Sequence, residues 1–457
     1  MSGQVALVIG MGRSGAACAR VLDAEGYHVR VVDRSHADER SEALARSLPG
    51  DIEVIMGGYR DDVVDDAALV CPSPGVPWDA AILVRARQLG IPVRSEMQLV
   101  FDRCPAPIVG ITGTNGKTTT TALTGAVIAA GGSRVHVGGN IGETMLDRLH
   151  SVRRDDWVVL ELSSFQLESV VRPRCRLAAV LNITPDHLDR HATLDGYVAA
   201  KRRLVEAADE AGTVVLGADD DTVRAMAPAT RARVLLFGGD LGGGDGTTVR
   251  DGDIVSVEHG DTVSVMRRAD IPLFGEHNVL NVLAAVALGR AAGIAPDGIA
   301  GAVRGFRAVP HRLEPVLDEA GVLWVDDSKA TNADAAIKAL QSFADRPIVW
   351  IGGGGTKGVP PDSLAEEVVR RARYAVLNGA TAAELDAALA ARDYTARAVV
   401  ASLADAVAAA RSVAQPGDVV LLAPGYTSFD QFIDFEERGR VFAALVRETA
   451  AARLQAG

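Results

Sequence analysis

Ile108-Val109-Gly110-Ile111-Thr112-Gly113-Thr114-Asn115-Gly116-Lys117-Thr118 is an apolar strand running through a glycine turn into a helix predicted over Thr118–Ala130. Glycines in such a turn let backbone N–H groups crowd around phosphate oxygens, and the helix N-terminus adds positive potential. Lys117 has the charge and reach to neutralise the β- and γ-phosphates of a nucleotide, and the Thr118 hydroxyl suits Mg²⁺. The candidate nucleotide cradle is therefore Gly113, Thr114, Asn115, Gly116, Lys117, Thr118 and Thr119. The strict G-x-x-x-x-G-K-[ST] spacing is missed, because Ile111 stands at its first glycine.

Working outward, the same rhythm of apolar run, turn and helical stretch recurs on both sides, the mark of α/β folds with parallel sheets. Before the turn, strands are predicted at Val5–Ile9, Val29–Val32 and Leu69–Cys71, with helices at Ser14–Glu25 and Trp78–Leu89. Around it, strands are predicted near Val158–Leu162 and Leu177–Leu181, with an apolar helix from His277. Residues 238–270, rich in Gly and Asp, read as exposed hairpins and loops. Beyond residue 303 come Val322–Val325, Ile348–Ile351, Tyr374–Leu377, Ala398–Val400 and Val419–Leu422. Three α/β units result: 1–94, 95–304 and 305–457.

Composition narrows the class. The 457 residues are 48% hydrophobic and carry a net charge of −12, which argues against nucleic acid as a partner. Four scattered cysteines without C-x-x-C spacing give neither a disulfide framework nor a zinc cage. Val5–Ile9 is far too short to span a bilayer, so an untargeted cytoplasmic chain, without membrane insertion, is expected.

Two acidic stretches follow the phosphate turn. Glu161 closes the apolar strand of V-V-L-E-L-S-S-F, where the carboxyl ends of parallel strands border a ligand crevice. It either serves a metal or caps the following helix. His187, in N-I-T-P-D-H-L-D-R-H, either ligates a metal through neutral imidazole or is structural; His191 reads as structural or surface.

G-T-N-G-K-T, E-L-S-S-F-Q-L, N-I-T-P-D-H-L-D-R-H, G-E-H-N-V-L-N, P-H-R-L-E, D-D-S-K-A-T-N and S-F-D-Q-F, in this order, resemble the Mur ligases over essentially the whole chain. The resemblance implies a Rossmann-like N-terminal domain for a UDP-sugar, a central P-loop ATPase domain, and a Rossmann-like C-terminal domain for an incoming amino acid. It implies ATP and two Mg²⁺ sites as cofactors, and UDP-N-acetylmuramoyl-L-alanine and D-glutamate as substrates of a monomeric enzyme. By position, Lys117 and Thr118 fall on the ATP phosphates and magnesium, with Glu161 and His187 at the metals. Lys201 matches a lysine that the family carbamylates; without the family it reads as a surface lysine on a helix. Asn278 and Asn281 match an adenine-contacting pair, against the alternative that they mark a solvated helix side. Arg312 matches a γ-phosphate contact and Asp327 a ribose contact. Lys329, Thr331, Lys357, Ser428, Phe429 and Phe435 match positions around the glutamate, and Asn140 one beside the UDP-sugar.

Gly10-Met11-Gly12-Arg13-Ser14-Gly15, with Asp33 closing the next strand, also fits the dinucleotide fingerprint, so an NAD-dependent oxidoreductase is the alternative from another class. The resemblance instead implies a UDP pocket of Arg13, Ser14, Asp33, Arg34, Ser73, Pro74 and Gly75. Two departures bear on substrate choice, including the handedness of glutamate or another amino acid: Ala423-Pro424-Gly425-Tyr426-Thr427 replaces a run of small residues, and Ser35 replaces an arginine near the uracil. Hinges between the units are expected near residues 95 and 305.

Overall fold

The computed structural model describes residues 3–456 except 141–143, 187, 192, 344, 357 and 359, with side chains also left aside at 40, 188, 189 and 451–456. It contains three α/β sheets. The first comprises β1 (Val5–Ile9), β2 (His28–Val32), β3 (Glu53–Ile55) and β4 (Ala67–Pro72), all parallel, in the order β3-β2-β1-β4. The second comprises β5 (Ile108–Thr112), β6 (Val135–Gly139), β7 (Trp157–Glu161), β8 (Cys175–Val180), β9 (Ala208–Gly217), β10 (Arg233–Phe237), β11 (Gly246–Arg250), β12 (Asp253–Glu258) and β13 (Asp261–Arg267). Its order is β13-β12-β11-β10-β9-β8-β5-β7-β6, with antiparallel pairing only among β11, β12 and β13. The third comprises β14 (Glu314–Glu319), β15 (Val322–Asp326), β16 (Ile348–Gly352), β17 (Ala372–Leu377), β18 (Arg397–Val399) and β19 (Val419–Leu422), ordered β14-β15-β19-β16-β17-β18.

β5 is buried along its whole length between β7 and β8, which is why it reads as a continuous apolar run rather than an alternating one. Helices cover both faces, so these strands lose water on two sides at once. The chain forms two compact units, one of residues 1–271 and 280–306 and the other of 272–279 and 307–457.

Within the first unit one core is continuous from β1 (Ala6, Val8) through the helix Glu96–Arg103 to β7 and β8. Met97, Leu99, Val100 and Phe101 of that helix are all buried, each stabilising by about 1.5–3 kcal/mol. The junction near residue 95 is thus packed into the core: Ser95 and Glu96 are buried, and Gln98 accepts from the N–H groups of Val171 and Arg172.

The hairpins expected at 238–270 are β11, β12 and β13. Several strands escaped the sequence reading. β3 is three residues long, β14 is an edge strand of polar sequence, and β6 (V-H-V-G-G) carries a histidine and two glycines. His136 is tolerated inside because Asp156 meets its Nε2 at 2.8 Å. β9 and β10 were likewise missed, their apolar cores being too short to declare a period. The helix expected from Trp78 begins at Ala81, since residues 73–80 first turn through Val76 N–H to Ser73 O and Ala80 N–H to Pro77 O.

Gly139 ends β6 at φ +97°, and a Cβ there would stand 2.2 Å from the Glu161 carbonyl oxygen. Gly139→Ala is therefore expected to destabilise the first unit by about 2–4 kcal/mol. Scanning calorimetry checks this, and an unchanged melting temperature contradicts it.

Candidate functional site

The phosphate turn is shaped by its neighbours. Gly116 opens the helix Lys117–Ala129 in the left-handed region at φ +82°, with no side chain capping the first turn. A Cβ on Gly116 would lie 2.2 Å from Asn281 Oδ1, so both backbone conformation and space demand glycine. Loop and β8 exit are stitched together: Thr114 N–H donates to Asn182 O (2.8 Å), Asn115 N–H to Asn182 Oδ1 (2.8 Å), and Asn182 Nδ2 to Asn115 O (3.1 Å). Thr114 Oγ1 also meets Tyr197 OH at 3.0 Å. Lys117 Nζ donates to the carbonyls of Gly113 (2.9 Å) and Thr114 (2.8 Å).

Thr118 and Thr119 are buried behind the loop. Asn281 is buried too and accepts from Thr120 Oγ1, while Asn278 donates to Phe274 O. Neither asparagine marks a solvated helix side, which removes that alternative.

Glu161, 3% exposed, ends β7 and does not cap the next helix. Ser163 does so through a capping box with Gln166. Glu161 Oε1 accepts from Asn140 Nδ2 at 3.1 Å, whereas Oε2 is buried without a hydrogen-bond partner among the described residues. A buried bare carboxylate oxygen is costly unless a cation meets it. With the Thr118 hydroxyl, the donor set fits a hard divalent ion. His187, the second expected ligand, lies outside the described residues.

Lys201 corrects the reading from helix position alone. It is 1% exposed, because its face of the helix Leu194–Glu206 packs inward. Its Nζ donates to Gly113 O at 2.8 Å and sits 4.5 Å from the centre of the Tyr197 ring. Burial first, and the Lys117 charge second, hold its amine well below the usual lysine range.

The glycine fingerprint of the first sheet borders a cleft of about 560 Å³. Arg13, Ser14, Asp33, Arg34, Ser35, Ser73, Pro74 and Gly75 line it, and so do Tyr59 and Val76, which the motifs did not reveal. Asp33 accepts from Met11 N–H at Oδ2 (2.7 Å) and from Ser35 N–H at Oδ1 (2.8 Å), so both its oxygens shape the loop. Arg34 lies over the Tyr59 ring at 5.1 Å. Asn140 is not part of this lining; its amide is at Glu161.

Arg190 reaches the cleft wall from the second sheet's side, donating to Val76 O at 3.1 Å while lying 5.3 Å over Phe165. Phe165 stacks on His191 (5.5 Å), which meets Tyr197 (5.4 Å) and, through Nε2, Ser164 Oγ (3.0 Å). His191 is structural, as one of its two readings held.

In the second compact unit Arg312 sits between two residues in the left-handed region, His311 (φ +62°) and Leu313 (φ +43°). That turn is pinned to the end of β15: His311 Nδ1 lies 2.7 Å from Asp326 Oδ2, Leu313 N–H donates to Asp327 Oδ1 (3.1 Å), and Lys329 N–H donates to His311 O (3.1 Å). Burial pushes the Asp327 carboxyl up to about 7. Lys329 Nζ lies 5.4 Å from the centre of the Phe435 ring. Thr331 follows on the same segment, its N–H donating to Lys329 O. Ser428 is buried, whereas Phe429 is 74% exposed; Lys357 lies outside the described residues.

Arg438, which sequence reasoning missed, holds this region together. Its guanidinium donates to Ser328 Oγ and O (both 2.9 Å), Thr427 O (3.1 Å) and Tyr426 O (3.3 Å). It thereby ties the D-D-S-K segment to Tyr426 and Thr427, the end of the Ala423–Thr427 run that departs from the expected small residues. Arg438→Ala leaves several buried acceptors unmet and is expected to cost on the order of 3 kcal/mol. Thermal unfolding checks this; a melting temperature within error of the parent contradicts it.

Comparison with known proteins agrees with this geometry. Residues 4–95 match the Mur ligase MurD-like N-terminal domain, 111–289 the Mur ligase middle domain, and 311–425 the Mur ligase glutamate ligase domain. The chain is 42% identical over 448 residues to the UDP-N-acetylmuramoylalanine–D-glutamate ligase of Koribacter versatilis, covering 98% of each chain. To the ligase of the same name from Symbiobacterium thermophilum it is 41% identical, covering 96% of this chain and 97% of that one. Among solved structures, UDP-N-acetylmuramate-alanine ligase from Thermotoga maritima shares the fold, with a TM-score of 0.61 at 20% identity over 98% of this chain and 99% of that one. No helix among the described residues is long and apolar enough to cross a membrane. Fingerprint, phosphate loop, buried acid and C-terminal sheet thus have one explanation, which the oxidoreductase alternative does not offer: the chain belongs to the Mur ligase family.

Proposed function

We propose that the chain, an ATP-dependent ligase like the rest of its family, joins D-glutamate to UDP-N-acetylmuramoyl-L-alanine through an acyl phosphate, releasing ADP and phosphate in peptidoglycan precursor synthesis. The observation that carries the reading is the convergence, at the carboxyl ends of β5 and β7, of a phosphate loop, a buried carboxylate oxygen without a hydrogen-bond partner among the described residues, and a buried lysine from the helix Leu194–Glu206. Relatives of that name at about 40% identity over nearly the full length support the choice of substrates.

The chemistry follows from the groups. A carboxylate does not condense with an amine at neutral pH, because hydroxide is a poor leaving group. Phosphorylation supplies a good one. The loop amides and Lys117 hold the phosphates in line and offset charge spread over the transferring oxygens. Thr118, Glu161 and His187 would hold magnesium, which would supply further neutralisation of that charge. Asn278, Asn281, Arg312 and Asp327 are assigned to the nucleotide. Lys329, Thr331, Lys357, Ser428, Phe429 and Phe435 are assigned to the amino acid, whose two carboxylates call for cations and hydroxyls. The cleft of the first sheet takes the UDP moiety, with Asn140 nearer the reacting end. The same reading has the enzyme act as a cytoplasmic monomer.

Lys201 is assigned as a carbamate. Two amines, a part-buried one from Lys117 and a buried one from Lys201, share the Gly113 carbonyl oxygen, and as ammonium groups they would repel each other there. A neutral Lys201 amine reacts with CO₂, and the product is an anion suited to a second magnesium.

Phosphate release with UDP-N-acetylmuramoyl-L-alanine is expected with D-glutamate and not with L-glutamate or other amino acids; release with another acceptor alone reassigns the C-terminal pocket. Lys117→Ala is expected to abolish turnover with an unchanged circular dichroism spectrum, and near-normal turnover contradicts the phosphate-loop assignment. In ¹³C-bicarbonate, the native chain is expected to show a carbamate carbonyl resonance that Lys201→Ala lacks. Its absence from the native chain removes the carbamate.

A further inference from the structure

Ser14 is the second residue of the helix Arg13–Ala24 and lines the cleft of the first sheet. That helix starts without a side-chain cap and without an acid in its first turn, an N-terminus suited to an anion. Yet an acid lies directly behind it. Ser14 Oγ donates to Glu96 Oε2 at 2.9 Å, across 82 residues of sequence. Glu96 is 2% exposed, and its other oxygen, Oε1, is buried without a hydrogen-bond partner among the described residues.

We propose that Glu96 is a proton-linked positioning residue of the UDP-sugar cleft: it takes up a proton as the substrate's diphosphate binds, and so frees the Ser14 hydroxyl to donate to a phosphate oxygen. This rests on reading the cleft as the UDP site. The reasoning is a count of protons. A serine hydroxyl has one hydrogen to donate. While Glu96 is ionised, that hydrogen is spent on the carboxylate, and Ser14 offers a phosphate only lone pairs. Once Glu96 is protonated, its O–H donates to Ser14 Oγ, and the serine hydrogen turns to the ligand. The proton comes from solvent, no covalent bond changes, and the chain of donors ends on the phosphate.

The surroundings favour the acid form. Burial raises the Glu96 carboxyl above the usual range, the Ser14 hydrogen bond opposes this, and Asp147 adds to it. Asp147, on the helix Met145–Arg148, is itself engaged by Arg20 Nη2 (2.7 Å) and Thr144 Oγ1 (2.6 Å). Cys18, on the same helix as Ser14, also interacts electrostatically with Glu96 and is buried. Both neighbours are negative when ionised, so neither competes for the role of counter-cation. A dianionic diphosphate at the mouth of the cleft adds repulsion of the same sign, which is what draws the proton in.

The sign of the pH effect follows. Ligand affinity is highest where free Glu96 is already protonated and falls as pH rises through its titration, by up to tenfold per unit. The test is calorimetric titration of the full chain with UDP-N-acetylmuramoyl-L-alanine at pH 8, in phosphate and in Tris. The ligand's diphosphate stays fully ionised throughout, so it contributes no proton of its own. For the native chain the two buffers are expected to give different heats, corresponding to uptake of up to one proton per site. Glu96→Gln places a permanent N–H donor toward Ser14; it is expected to bind with the uptake removed and with affinity that no longer falls at high pH. Difference infrared spectra of the native chain read the same proton as a carboxylic-acid C=O band that grows on binding, should the variant not fold. Binding without proton uptake and without that band, or equal uptake in Glu96→Gln, overturns the proposal. Failure of the native chain to bind the UDP-sugar overturns the reading of the cleft instead.

Discussion

The carbonyl oxygen of Gly113 accepts from two amines at once, Lys117 Nζ and Lys201 Nζ. Much of the central site depends on that crowding. It requires β5 to deliver the chain into a turn whose carbonyl faces inward, and Gly116 to reverse it in the left-handed region before the helix begins. It also requires the helix Leu194–Glu206 to bury a lysine, and that burial holds its amine well below the usual lysine range. Glu161 on β7, with one oxygen held by Asn140 and the other without a hydrogen-bond partner among the described residues, is the matching deficit of positive charge. The Lys201 amine at the end of β5 and the Glu161 carboxylate at the end of the neighbouring β7 thus feel each other's charge.

The three sheets repeat one geometric rule. In each, the candidate groups gather where parallel strands end: after β1 and β4 in the first, β5, β7 and β8 in the second, and β15 and β19 in the third. Strand ends leave backbone amides unspent and helices begin there, so ligands gather at that side of the sheet. Where the chain must turn more sharply than ordinary residues allow, it accepts strain. His311 and Leu313 both adopt positive φ around Arg312, and hydrogen bonds to Asp326 and Asp327 compensate.

Two of these sites are physically joined inside the first unit. The succession Arg190, Phe165, His191, Tyr197 runs from the Val76 carbonyl on the cleft wall to Thr114 in the phosphate turn. Planar groups in contact resist bending, so the two sites share one frame. The D-H-L-D-R-H motif therefore contributes its arginine and second histidine to that frame.

Much of this protein was legible as sequence because local rules are short-ranged. The strand–glycine–helix order at 108–118 specified the phosphate turn, the βαβ rhythm specified parallel sheets, and the apolar runs of β1, β5, β7, β15 and β19 marked strands buried on both faces. Motif order along the chain was enough to identify the family. What sequence withheld were properties that arise when distant segments meet. The burial of Lys201, Ser14 resting on Glu96, Arg438 tying Ser328 to Tyr426, and Tyr59 entering the cleft carry no local signature, since burial and desolvation belong to a position in space. Sequence determined which groups are present and in which turns they sit; tertiary structure alone decided which of them lose water, and so whose ionisation shifts.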